Sequence, residues 1–158
     1  LVTGSGRGLG LGIARALAAA GARVWMISEV EGELHEAAEM VRREEQTRRA
    51  GGSVETRVVD LSDRGACLEL AEEVRTNAAD LRVLVNNAAV LRRERVVDLD
   101  LDHWDHTMAV NLTAPLILCS EIAPILAESG GSIINVSSRA GASGIPWAKR
   151  LLRRQIRH

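Results

Sequence analysis

Leu1-Val2-Thr3-Gly4-Ser5-Gly6-Arg7-Gly8-Leu9-Gly10 opens the chain, and an Ala- and Leu-rich run from Leu11 to Ala20 follows, closed by Gly21. The first three residues read as the end of a strand. The glycines form a turn, and Leu11 to Ala20 is a good helix former that Gly21 stops. Arg23 to Ile27, apolar with a β-branched bias, predicts the next strand. A strand, a glycine turn, a helix and a second strand make the start of a βαβ unit, and the remaining sequence repeats the alternation.

Glu33 to Ala50 predicts one long polar helix ended by Gly51-Gly52. Val54 to Val59 predicts a strand, and Ser62 is placed to cap a helix from Arg64 to Asn77. Leu81 to Val85 is a further strand. Asp100 is placed to cap a helical stretch that runs through Trp104 to about Glu128, where Pro115 and Pro124 are each placed to kink or divide it. Ser132 to Val136 predicts a fifth strand. Strands alternating with helices imply an α/β fold with a parallel sheet covered on both faces.

Composition narrows the functional classes. The 158 residues carry 20 Lys and Arg against 21 Asp and Glu, a net charge of -1. That balance supplies no global attraction to nucleic acid or an anionic membrane. Residues 148–158 are locally basic, with Lys149, Arg150, Arg153, Arg154 and Arg157 and no acid. A solvated terminus is the ordinary reading of such a patch. Cys67 and Cys119 sit in apolar helical segments and read as buried free thiols, not as a disulfide framework. The opening lacks the pattern of a signal peptide and no run of 18 apolar residues exists, which gives a cytoplasmic expectation with no membrane span. There is no Tyr and no Phe, so chemistry that needs a phenol has no agent in this sequence.

A glycine turn between a strand and a helix is a phosphate-binding arrangement. The glycines let the backbone approach closely, and the helix N-terminus offers N–H groups and a positive dipole end. The spacing Gly4-x3-Gly8-x-Gly10 in this context points to a dinucleotide. The end of the second strand, Ser28-Glu29, then faces the adenine-side ribose. With Ser28 in that position no acid blocks a 2′-phosphate and Arg7 is placed to pair with it, which leans toward NADP. With Glu29 turned in, NAD is preferred.

The chain resembles the classical short-chain dehydrogenase/reductase family. Thr3-Gly4-Ser5-Gly6-Arg7-Gly8-Leu9-Gly10 is similar to that family's cofactor turn, and Asp60-Leu61 to its adenine-contacting pair. Asn86-Asn87-Ala88-Ala89 resembles the motif after the fourth strand, with Ala89 replacing a glycine. Met108-Ala109-Val110-Asn111 and Ile134-Asn135-Val136-Ser137-Ser138 resemble the segments with the catalytic asparagine and serine. The resemblance covers residues 1 to about 147 and implies a Rossmann-type doubly wound sheet of strand order 3-2-1-4-5. It implies NAD(P)-dependent hydride transfer between nicotinamide and a carbonyl or secondary alcohol. The implied cofactor contacts are Gly4, Arg7, Gly8, Leu9, Ser28, Asp60, Leu61, Asn86, Asn87 and Ala88. Asn86 is expected to tie adjacent loops together. The implied catalytic set is partial: Ser138 holds the substrate oxygen and Asn111 orders a water.

The resemblance breaks after Ser138. The positions that should hold the family's tyrosine and lysine are Leu151 and Gln155. The later strands and substrate-covering region have no counterpart, and the switch after Trp147 to a basic tail points to a truncated, spliced or out-of-frame product. The expected domain is therefore an incomplete nucleotide-binding unit over 1–147 followed by the tail at 148–158, inactive alone. A non-catalytic nucleotide-binding or protein-interaction variant is the alternative. Partners are a small carbonyl or alcohol substrate only in a completed fold, with no nucleic acid or membrane, and the oligomeric state is open.

Other features have ordinary readings. His103 and His106 are one helical turn apart with Asp102 and Asp105 beside them, but a zinc site usually needs three or four converging ligands and no second cluster is near in sequence, so a polar helix start is the preferred reading. Arg42 to Arg49 mixes charges and reads as a solvated helix face with weak ion pairs. Trp25 and Trp104 are expected to pack in the core and on a helix respectively, while Trp147 stands where family substrate loops begin.

Overall fold

The computed structural model describes residues 1–91 and 96–138. The elements are β1 (Val2–Thr3), α1 (Gly8–Ala19), β2 (Arg23–Ser28), α2 (Glu31–Arg43), α3 (Glu45–Ala50), β3 (Ser53–Val58), α4 (Arg64–Asn77), β4 (Val83–Asn86), α5 (Leu101–Met108), α6 (Ala114–Ser129) and β5 (Ser132–Asn135). The sheet is parallel with order β3-β2-β1-β4-β5, the order expected for a doubly wound sheet. The basic tail, Trp147, Lys149, Leu151 and Gln155 lie outside the described residues.

Alternation of side chains along β2 divides the core in two. Trp25 and Ile27 point to one face, where Cys67, Leu70 and Val74 of α4 and Leu118, Ile122 and Leu126 of α6 close over them. Val24 and Met26 point to the other, against Ala14 and Ala18 of α1 and Leu34, Ala38 and Val41 of α2. The small residues of α1 let that helix lie close to the sheet. Trp25 is buried as expected, with the Arg57 guanidinium 4.5 Å above its ring centroid.

Several local expectations are corrected. The helix read over Glu33 to Ala50 is two helices, because Glu44 is extended (φ -61, ψ 127) and the chain turns there. The turn buries Thr47, and Glu44 accepts from Arg15 Nε at 2.7 Å. The Arg42 to Arg49 face does form exposed ion pairs, Arg42 and Arg43 with Glu39 and Arg49 with Glu45. Arg42 also does more than expected: its Nε and Nη2 donate to the Val54 carbonyl on edge strand β3 at 3.2 and 2.8 Å. The cap of α4 is Asp63, whose Oδ1 accepts from the Gly65 and Ala66 N–H groups at 2.7 and 3.3 Å. Ser62 instead donates to Asp60 Oδ1 at 2.7 Å.

Asp100 caps α5 as expected, accepting from Asp102 and His103. The predicted division near Pro115 is a π-helical turn, Ala109–Thr113, with Pro115 in the first turn of α6. Pro115 has no N–H to give the Asn111 carbonyl four residues earlier, so the ladder widens there. Trp104 is half exposed, and Cys119 is only partly buried, unlike Cys67. The helical run Leu101–Ser129 has a window of mean hydropathy 1.6 and is long and apolar enough to cross a membrane by length and composition. This qualifies the sequence expectation. Here Ala114, Leu118, Ile122 and Leu126 on that run belong to the core.

Candidate functional site: two clefts at the C-terminal ends of the strands

Two clefts open where β1, β2 and β4 deliver their C-terminal ends. Open α/β sheets bind ligands at this edge, outside the point where strand order reverses, here between β1 and β4. Thr3 organises the switch point. Its Oγ1 accepts from the Asn87 and Ala88 N–H groups, both at 3.0 Å. Asn87 Nδ2 answers by donating to the Thr3 and Gly4 carbonyls at 2.9 and 3.1 Å. The loop after β1 is thereby sewn to the loop after β4.

Glycine is required where these loops close. A Cβ on Gly4 would stand 2.8 Å from the Ala88 Cα, and one on Gly10 would overlap the Gly4 carbonyl. Gly8 differs. Its φ is +57 and nothing lies within 4 Å of a Cβ built there. The N-terminus of α1 therefore faces open space, and its N-cap residue, Arg7, has no acceptor side chain to satisfy the first N–H groups.

The first cleft has a cavity of about 210 Å³ bounded by Gly4, Arg7, Ser28, Leu61, Asn87 and Ala88. These six come from the expected cofactor set. Gly6, Glu29, Val30, Glu33 and Val90 also line it. Of these, Glu29 was weighed from the sequence. Glu33 was read only as the start of a helix, because nothing in a single sequence shows which side of a first turn faces a neighbouring loop. Asp60 lies between lining residues Val59 and Leu61 and is itself exposed. Hydrogen bonds from the Ser62 hydroxyl and N–H hold its carboxyl below the usual carboxylate range. Gly8 and Leu9 are exposed on the first turn of α1.

The second cleft brings together Asn86, Asn111, Cys119, Asn135 and Ser138. Both expected catalytic residues are here. The Asn111 amide is spent on one neighbour: Oδ1 accepts from the Val90 N–H and Nδ2 donates to the Val90 carbonyl, each at 2.8 Å. Asn86 is buried, and its Nδ2 donates to Asn135 Oδ1 at 2.8 Å and lies 3.3 Å from Cys119 Sγ. Tying the loops, expected of Asn86, is thus done by Asn87, while Asn86 ties β4 to β5 and α6. No group of three or more metal-ligating side chains occurs among the described residues.

A family model described as short chain dehydrogenase matches residues 1–149. The chain belongs to this family. Among its relatives, trans-4-hydroxycyclohexanecarboxylate dehydrogenase of Sinomonas cyclohexanicum is 36% identical over 147 residues, which cover 91% of this chain and 56% of the relative. A metagenomic short-chain oxidoreductase solved in complex with NADP superposes with a TM-score of 0.80 at 35% identity, covering 91% of this chain and 63% of that one. L-Sorbose reductase from Gluconobacter frateurii, solved with NADPH and L-sorbose, gives a TM-score of 0.82 at 26% identity over 92% of this chain and 54% of the reductase. The chain thus spans 54–63% of the length of these three proteins. What it shares with the two solved structures is the fold of the doubly wound sheet.

Proposed function

We propose that the chain is the nicotinamide-dinucleotide-binding part of an oxidoreductase acting on a carbonyl or secondary alcohol, inactive by itself. One observation carries this reading. The glycine-opened N-terminus of α1 has no side-chain cap, and its N-cap residue, Arg7, lines the first cleft beside Gly4 and Gly6 at the switch point of the sheet. NADP in a structural relative supports the cofactor class.

In this reading Gly8, Leu9 and the first turn of α1 offer N–H groups to the pyrophosphate, with Gly4 giving it room. Ser28 and Arg7 meet the adenine-side ribose and its 2′-phosphate, the basis for a lean toward NADP over NAD. Asp60 and Leu61 border the adenine, and Asn86, Asn87 and Ala88 shape the passage to the second cleft. The bound cofactor supplies hydride chemistry at the nicotinamide. Ser138 would hold the substrate oxygen by one hydrogen bond. Asn111 fixes the Val90 loop through its side chain, and the proposed water-ordering role would fall to another group of this residue. The sequence holds no Tyr to move the hydroxyl proton. General acid–base catalysis is worth roughly 10² to 10⁴ in rate, so turnover is expected to be lost at that scale or beyond. The same reading makes residues 1–147 one nucleotide-binding unit with a separate basic tail, and places the chain in the cytoplasm.

Isothermal titration with NADP and NAD tests binding. Heat of binding with either, abolished or strongly reduced by Gly8→Val in a folded variant, supports the reading, and a folded chain that binds neither overturns it. Cofactor absorbance with a panel of ketones and secondary alcohols tests inactivity. Robust turnover that disappears in Ser138→Ala would show a proton donor other than a phenol.

A further inference from the structure

We propose that Glu33 sets the discrimination between NAD and NADP by competing with a 2′-phosphate for Arg7. This rests on the cofactor reading of the first cleft and adds to it a residue that no sequence motif marks.

The geometry is direct. Glu33 lines the first cleft together with Arg7, Ser28 and Glu29. Its Oε2 stands 3.5 Å from Arg7 Nε. A Cβ built on Gly6 would lie 3.4 Å from Ser28 Oγ and 3.6 Å from the Glu33 Cβ, so Ser28 and Glu33 flank the same glycine. Ser28 Oγ accepts from the Val30 N–H at 3.3 Å, which fixes the hydroxyl between the strand end and the start of α2. Leu34, the next residue, is fully buried against the sheet and anchors the backbone that carries Glu33. Arg7 is the more exposed partner, with 85% of its side chain exposed against 46% for Glu33.

The chemistry follows from charge. A 2′-phosphate brings negative charge to the place where Arg7 already has a carboxylate partner. To pair with Arg7 it must take the guanidinium from Glu33 and then remain close to that uncompensated carboxylate. A ribose with a free 2′-hydroxyl meets no such conflict, since a carboxylate accepts a hydrogen bond from a hydroxyl. Arg7 therefore favours NADP and Glu33 opposes it, and the balance between two opposed charges sets the preference. Both groups are partly solvated, so each charge is worth about three- to tenfold in the ratio of affinities, and salt reduces the effect.

The test is a set of dissociation constants for NADP and NAD with the chain, Glu33→Gln, Glu33→Ala and Arg7→Gln, measured by titration calorimetry at low and high salt. Glu33→Gln and Glu33→Ala should each shift the affinity ratio toward NADP by about three- to tenfold, with a smaller shift at high salt. Arg7→Gln should shift it toward NAD. A wild-type chain that binds both nucleotides, with a ratio unmoved by either Glu33 variant, overturns the inference and leaves the cofactor reading standing. A folded wild-type chain that binds neither overturns that reading and the inference with it. Two Glu33 side chains of different size separate a charge effect, common to both, from a packing effect confined to Glu33→Ala.

Discussion

Strands β2 and β5 have similar apolar centres, Val24-Trp25-Met26-Ile27 and Ile133-Ile134, yet they meet opposite environments. All four central residues of β2 are at most 3% exposed, while Ile133 and Ile134 are 36% and 49% exposed. The reason is position. β2 lies between β1 and β3 with α1 and α2 on one face and α4 and α6 on the other. β5 pairs with β4 alone and is an edge of the described sheet. The first cleft is built on the enclosed half and the second borders the edge. Residues that line the first cleft thus sit on a packed support, and the second cleft borders a strand with fewer neighbours.

The enclosed half should suffer strongly from a change at one of its tight backbone contacts. Gly10→Val places side-chain atoms into the Gly4 carbonyl and Asn87 Nδ2, forcing α1 away from the switch point. A loss of roughly 3 kcal/mol is expected from overpacking, read by urea unfolding. The comparison itself is tested by two matched truncations. Ile27→Ala should cost about 2–5 kcal/mol because it leaves a cavity in a closed core. Ile134→Ala should cost less than about 1 kcal/mol, since its side chain is half exposed. Equal losses would break the distinction between the two halves.

A smaller effect sharpens the picture of how α4 is held over the enclosed core. Asp63→Ala removes the acceptor for two N–H groups and should cost about 1 kcal/mol by thermal or urea unfolding. Ser62→Ala leaves that cap in place and should cost less. If Ser62→Ala were the more harmful, the capping assignment would fall.

The two thiols report the same contrast chemically. Cys67 is fully buried, and burial, followed by the charges of Asp63 and Asp60, pushes its thiol up to about 11 from 9.0. Cys119 is partly exposed beside the second cleft. Alkylation in native buffer should label Cys119 first and Cys67 only on unfolding, as mass spectrometry would show. Because the folded state holds Cys67 neutral, its contribution to stability is complete below pH 9 and is lost as pH rises from about 9 through 11. Cys67→Ser should flatten that alkaline decline.

Much of this was legible in the sequence where one segment suffices. The glycine turn, the five strands and their order, the Asp100 cap and the break near Pro115 follow from local spacing, backbone chemistry and the family pattern. What failed needed a second segment. Glu44 is an ordinary helix former, and only the return of the chain to edge strand β3 makes it a corner. Ser62 and Asp63 are both good caps, and the choice fell to Asp63 because Asp60 engages the serine. Asn86 and Asn87 are indistinguishable as letters. Alternation along the end of β4 turns Asn86 into the core toward Asn135 and leaves Asn87 to bind the Thr3 loop.

The sequence by itself determined that strand and helix would alternate, that the first helix would begin on open glycines, and that no phenol is present to move a proton. These depend on backbone conformational preference and on which atoms a side chain contains. Tertiary structure alone decided that Glu33 reaches Arg7, that Asn111 spends its amide on Val90, and that β2 is enclosed while β5 is exposed. Each of those is a distance or a burial between parts remote in the chain, or across a turn whose direction packing sets, and local spacing carries no record of it.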